Sequence, residues 1–187
     1  MADLRLAGVL GIGMLTAALV ASPIAQAAPS ANCVSDKFRD GVCQPIVPAS
    51  ATTSGVVAGV ALPVTYVATA DPAKVTAALW THTATWYVVS GFVDNPATCD
   101  TPVDPALLNP AAPVAIAPGL TAEVVQSTTS QITAKSALRR TVTTAGMAGK
   151  TFCARTGVAL VGRNVVGMTK LVSNLPSAVT RVTIKAK

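Results

Sequence analysis

Charge is scarce in this chain of 187 residues: Lys, Arg, Asp and Glu make up 12% of it, and Glu123 is the sole glutamate. So little charge in a chain that is 51% hydrophobic excludes one that stays disordered throughout. Long apolar runs are also few. One stretch approaches spanning length, which excludes a polytopic membrane protein. Histidine is represented by His82 alone. A hydrolase built on it needs a nucleophile and an orienting acid; Ser90 and Asp94 lie downstream, but no G-x-S-x-G elbow holds a serine. Paired carboxylates for glycoside hydrolysis find no second glutamate. The aspartates Asp36, Asp40, Asp94, Asp100 and Asp104 sit where Asx turns explain them. There is no C-x-x-C pair for zinc and no D-x-[DN]-x-[DN]-G loop for calcium. The sequence therefore leads us to expect no catalytic residue, no metal and no cofactor.

What is present begins with an apolar stretch from Leu6 to Val20, broken only by small residues and Thr16. Arg5 precedes it and Ala25-Gln26-Ala27 follows, so residues 1–27 read as a cleaved secretory signal peptide. Asn32 spoils the small apolar box that a lipidated Cys33 would need. Leu175-Pro176-Ser177-Ala178 only faintly echoes a wall-sorting motif, with no apolar tail after it. We expect a secreted, extracellular or envelope-associated product with no transmembrane segment once the leader is removed. Four cysteines agree with an oxidising compartment. Of three possible pairings, Cys33–Cys43 with Cys99–Cys153 is favoured, because Asp40 and Gly41 supply a turn within the first. The chain-entropy argument assigns such bridges about 3 and 4 kcal/mol.

Residues 28–54 carry Pro29, Pro45 and Pro48 and read as an irregular arm pinned by the short disulfide loop. Residues 55–187 read as a single β-rich domain. From Val56 to Val67 the run is β-rich; Pro63 marks an edge or a break, and the imperfect alternation suggests burial on both sides. Asp71-Pro72 opens a short helix over 72–79, and Trp86 to Val93 is a core strand. Six prolines between Pro96 and Pro118 forbid any regular element longer than a turn or two. Alternation from Gln131 to Thr143 predicts a strand with one polar slip on its apolar face, at Arg140. Gly162-Arg163-Asn164 reads as a hairpin turn, and Thr180 to Lys187 as a strand with Val182 and Ile184 on one face. The expected fold is mainly β: an antiparallel sandwich of Ig-like architecture or a small barrel. Thr151-Phe152-Cys153-Ala154-Arg155-Thr156-Gly157 resembles the end of strand F in an antibody variable domain. Both tryptophans precede Cys99, however, and the corner Asp and Tyr are missing, so the likeness carries only a generic sandwich.

Charge is the one asymmetric property. Between Pro29 and Asp104 three cations face six aspartates; from Pro105 onward ten cations face Glu123 alone. Lys135, Arg139, Arg140, Arg181 and Lys185 are the candidate ligand-binding residues on this basic half. Trp80, Trp86, Tyr87 and Phe92 lie elsewhere and read better as core. Export, and cations without interleaved aromatics, argue against nucleic acid as a partner. The expected function is a non-enzymatic binding module that recognises an anionic cell-envelope component or a partner protein. The alternative is a secreted protease inhibitor presenting the disulfide-tethered loop 96–118, since a preorganised loop loses less entropy on binding. The oligomeric state is not legible.

Overall fold

A computed structural model of the protein describes residues 56–72, 79–133 and 136–187. The expected leader, the arm with Cys33 and Cys43, the body of the helix expected over 72–79, and Lys135 lie outside these residues. The described chain is mainly β and antiparallel. Its strands are β1 (Leu62–Tyr66), β2 (Trp80–Val93), β3 (Val114–Ala117), β4 (Leu120–Thr128), β5 (Leu138–Val142), β6 (Thr151–Asn164), β7 (Thr169–Pro176) and β8 (Thr180–Thr183). Short 3-10 turns at Pro96–Asp100 and Pro105–Leu107 lie between β2 and β3. Five strands order as β3-β4-β2-β6-β7, and β8 pairs with β6 beyond the end of β7, giving a curled six-stranded sheet. β1 and β5 form a separate two-stranded ribbon.

The pleat of β2 distributes its side chains to two cores. Ala84, Trp86 and Val88 point to one face, where they join Leu62, Val64 and Tyr66 of the ribbon with Phe152, Val158 and Leu160 of β6. Tyr87, Val89 and Val93 point to the other, where Cys99 and Val103 of the Pro-rich segment pack with Leu120, Ala122 and Cys153. Being covered on both sides, β6 is buried continuously from Thr151 to Leu160. A strand so placed loses the in-out alternation that a one-sided strand would show. The sandwich is thus unequal: a two-stranded ribbon on one face, a proline-rich cap on the other.

Several expectations change on contact with this packing. β1 is not buried on both sides: Leu62, Val64 and Tyr66 are buried while Pro63 is exposed, so the ribbon has one inner face. The strand expected across 131–143 shortens to Leu138–Val142, and Ile132 instead makes an isolated bridge to Ala70. The hairpin turn moves from 162–164 to the residues after Asn164. There the Asn164 Oδ1 accepts from Val166 N at 3.2 Å and Met168 N at 2.8 Å, and Gly167 takes φ +85°. The proline-rich stretch is irregular as far as Pro113, but Val114–Ala117 then forms β3 and turns at Pro118-Gly119 into β4. The disulfide departs from the Ig arrangement, since it ties a 3-10 turn to β6 rather than one sheet to another.

Candidate functional site

The basic candidates do not converge on one face. Arg140 lies opposite Val64 in the ribbon and so points inward, which is the polar slip seen in the sequence. Its guanidinium donates to Glu123 Oε1 at 2.5 Å, so the only glutamate of the chain neutralises it. That hydrogen bond holds the Glu123 carboxyl below the usual carboxylate range despite some burial, and raises Arg140 in turn. Arg139 lies opposite Thr65, on the other side of the ribbon, and is exposed. Arg181 reaches the cap: its Nη2 donates to Asp100 Oδ1 at 2.5 Å and its Nε to the Pro96 carbonyl at 3.4 Å. Lys185 is exposed at an isolated bridge to Val57. Two of the four described candidates therefore already face a carboxylate, and two present their charge to solvent.

The Pro-rich cap is built from one device used three times. Asn95, Asp104 and Asn109 each precede a proline, and each side-chain oxygen accepts the N–H two residues on, at 2.9–3.0 Å. Proline at the next position presets φ and has no N–H to satisfy. Four anchors then hold the cap to the sheet. The Cys99–Cys153 disulfide is one, with a sequence separation of 54. Arg155, buried on β6, donates to the Thr101 carbonyl. Asn174 on β7 donates to the Val103 carbonyl at 3.0 Å while accepting from the Tyr87 hydroxyl at 2.7 Å. Arg181 is the fourth. Burial lowers the Arg155 guanidinium from its ordinary value and pushes the Tyr87 phenol up to about 12. Between these anchors and β3, residues 104–113 stand largely exposed.

His82 is buried on the inner face of β2, across from Gly162, and burial lowers its imidazole from the ordinary value. Neither proposed partner reaches it. Ser90 lies eight residues further along β2, opposite Ala154, and Asp94 pairs with Lys150 at 2.9 Å. Among the described residues no three His, Cys, Asp or Glu side chains gather as a metal site. Trp86 and Tyr87 are core, with the indole N–H donating to Thr156 Oγ1 at 2.7 Å.

Sequence reasoning missed the free end of the β6–β7 hairpin. Val165, Val166 and Met168 are exposed there, beside Leu171 on β7 and Leu79 just before β2. The signal is the apolar pair Val165-Val166 directly after Asn164: a turn at 162–164 leaves them in the following strand, whereas a turn after Asn164 points them outward. Arg163 and Lys170 stand one step behind this turn, both exposed and without an ion pair among the described residues. Among the described residues no helix is long and apolar enough to cross a membrane. No family model matches the chain, and no curated protein or solved structure is significantly similar to it.

Proposed function

We propose that the protein is an exported, non-enzymatic binding module that attaches to an anionic component of the cell envelope through cations of its C-terminal half. The observation that carries this reading is an imbalance of exposed charge. No acidic residue follows Glu123, and Glu123 itself is taken up by Arg140. Arg139, Arg163, Lys170, Lys185 and Lys187 are left exposed with no carboxylate on them among the described residues. Exposed cations of this kind steer an anionic polymer or surface through long-range attraction, which salt screens over about 10 Å at 0.1 M. Arg140 and Arg181 serve the fold in this reading, the first joining the ribbon to the sheet and the second joining β8 to the cap.

Charge reversal separates the two groups. Reversing Arg139, Arg163, Lys170, Lys185 and Lys187 together to Glu is expected to abolish binding to purified envelopes, while each single reversal leaves stability within about 0.5 kcal/mol of the parent. Arg140→Glu is expected to lower stability instead, because it sets two carboxylates against each other. Equal envelope binding by the five-fold variant and the parent would contradict the reading.

One observation favours the inhibitor alternative: the exposed 104–113 segment is preorganised by the turns at Asp104-Pro105 and Asn109-Pro110 and held by the cap's anchors. Shortening 104–113 would abolish protease inhibition and leave envelope binding unchanged if that reading holds.

A further inference from the structure

The end of the sheet opposite the Pro-rich cap carries apolar side chains in an unusual setting. Val165 is 77% exposed, Val166 74% and Met168 61%, all in the turn between β6 and β7. Leu79, 74% exposed, joins them, because it precedes Trp80 and Trp80 pairs with Asn164 at the start of that turn. Apolar packing does not hold the turn in shape. Asn164 does so: its side chain accepts from Val166 and Met168, and its own N–H donates to the Met168 carbonyl at 3.0 Å. The backbone is thus satisfied locally and the side chains are left pointing out.

Cations surround this tip. Arg163 pairs in register with Thr169, and Gly162 with Lys170, so successive residues of the two strands place Arg163 and Lys170 on opposite faces of the hairpin. Two cations on opposite faces reach one anionic surface together only when the hairpin enters it end-on. Apolar residues at the tip and cations one step behind match the layering of an anionic bilayer, acyl chains beneath phosphates.

We propose that the β6–β7 hairpin docks the protein end-on onto anionic lipid, with Val165, Val166 and Met168 entering the headgroup boundary and Arg163 and Lys170 meeting the phosphates. This rests on the reading of the protein as an envelope-binding module and names the component as lipid. Neither half of the tip acts alone: the charges raise the local concentration and the apolar contacts slow release.

The test is sedimentation of the native, oxidised protein with vesicles of phosphatidylglycerol and phosphatidylcholine, and with phosphatidylcholine alone, alongside purified envelopes. The expected result is binding to the anionic vesicles, weaker by about tenfold or more in Val165→Asp/Val166→Asp and in Arg163→Glu/Lys170→Glu. All four positions are exposed, so unchanged tryptophan emission in each variant shows an intact core. Failure of the parent to bind anionic vesicles, or equal binding by the tip variants, would overturn the proposal. Envelope binding that persists in either case keeps the broader reading and moves the target to an anionic polymer. Loss of both would end both.

Discussion

At the scale of single residues, polar groups turned into the core act as fastenings. Thr156 lies on the ribbon-facing side of β6, where its hydroxyl accepts from the Trp86 indole and donates to the Tyr87 carbonyl at 2.9 Å. Thr156→Val keeps the shape and leaves a buried indole N–H without an acceptor, so it is expected to cost about 1–3 kcal/mol in denaturant unfolding. A cost below about 0.5 kcal/mol would show that the bond is dispensable. Glu123 offers a second check. Its carboxyl titrates below its ordinary value because Arg140 hydrogen-bonds the charged form, so the pair stabilises the fold fully above the unfolded-state value. That contribution is lost as pH falls through the depressed folded value. Carboxyl titration followed by NMR should show Glu123 returning towards its ordinary range in Arg140→Leu. No change on removing Arg140 would contradict the assigned cause.

The inward direction of Arg140 was legible in sequence, as a break in alternation. Its partner was not, because Glu123 lies on a strand with no clean period. β4 is buried only at Leu120 and Ala122, and an irregularity opposite Trp86 and Tyr87 shifts its register. A residue-by-residue period read from one chain cannot survive such a shift.

At the scale of elements, β6 organises the molecule, and its second edge is shared. β7 covers Gly157 to Arg163 and β8 covers Thr151 to Ala154, which leaves a gap at Thr156. Ser177 fills it: its N–H donates to the Thr156 carbonyl at 2.7 Å and its Oγ accepts from the Thr156 N–H at 3.1 Å. The Leu175-Pro176-Ser177-Ala178 stretch thus hands the edge of β6 from one strand to the next. Gly157 is the tightest point on this strand, since a Cβ there would run into the ring of Tyr87. Gly157→Ala is expected to displace that ring, break its bond to Asn174 and cost about 1–3 kcal/mol, as overpacking does. An unchanged unfolding midpoint would mean that the Tyr87 ring is free to move. The β7 strand escaped the sequence reading because its side chains are mostly polar or exposed. Only pairing with β6 makes it a strand, and pairing is not written in a local pattern.

The cap is the other element whose role follows from its anchors. Its disulfide closes a long loop, for which the chain-entropy argument gives about 4 kcal/mol. Reduction is expected to expose the Tyr87–Val93 face while the ribbon face keeps its protection. Hydrogen exchange should therefore rise over the cap and the strands beneath it before it rises in β1 and β5. Simultaneous loss on both faces would show that the two cores do not open separately.

At the scale of the whole molecule, the β class, the Cys99–Cys153 pairing and the core roles of Trp86 and Tyr87 were readable from composition, cysteine spacing and aromatic placement. The layering was not, because the ribbon joins segments more than seventy residues apart and the cap has no period at all. The basic half was visible as well, yet its cations divide once folded. Arg140 and Arg181 close internal contacts, while Arg139, Lys185, Arg163 and Lys170 remain on the surface. Charge along a chain becomes charge on a face only after the acids have been assigned partners.

The most direct test of the central claim is co-sedimentation of the native, oxidised protein with purified cell envelopes across a salt series. Attachment through exposed cations predicts strong retention at low salt and a steady decline as the Debye length falls from about 30 Å at 0.01 M to about 8 Å at 0.15 M. Retention that does not change across the series, or no retention even at the lowest salt, would contradict it.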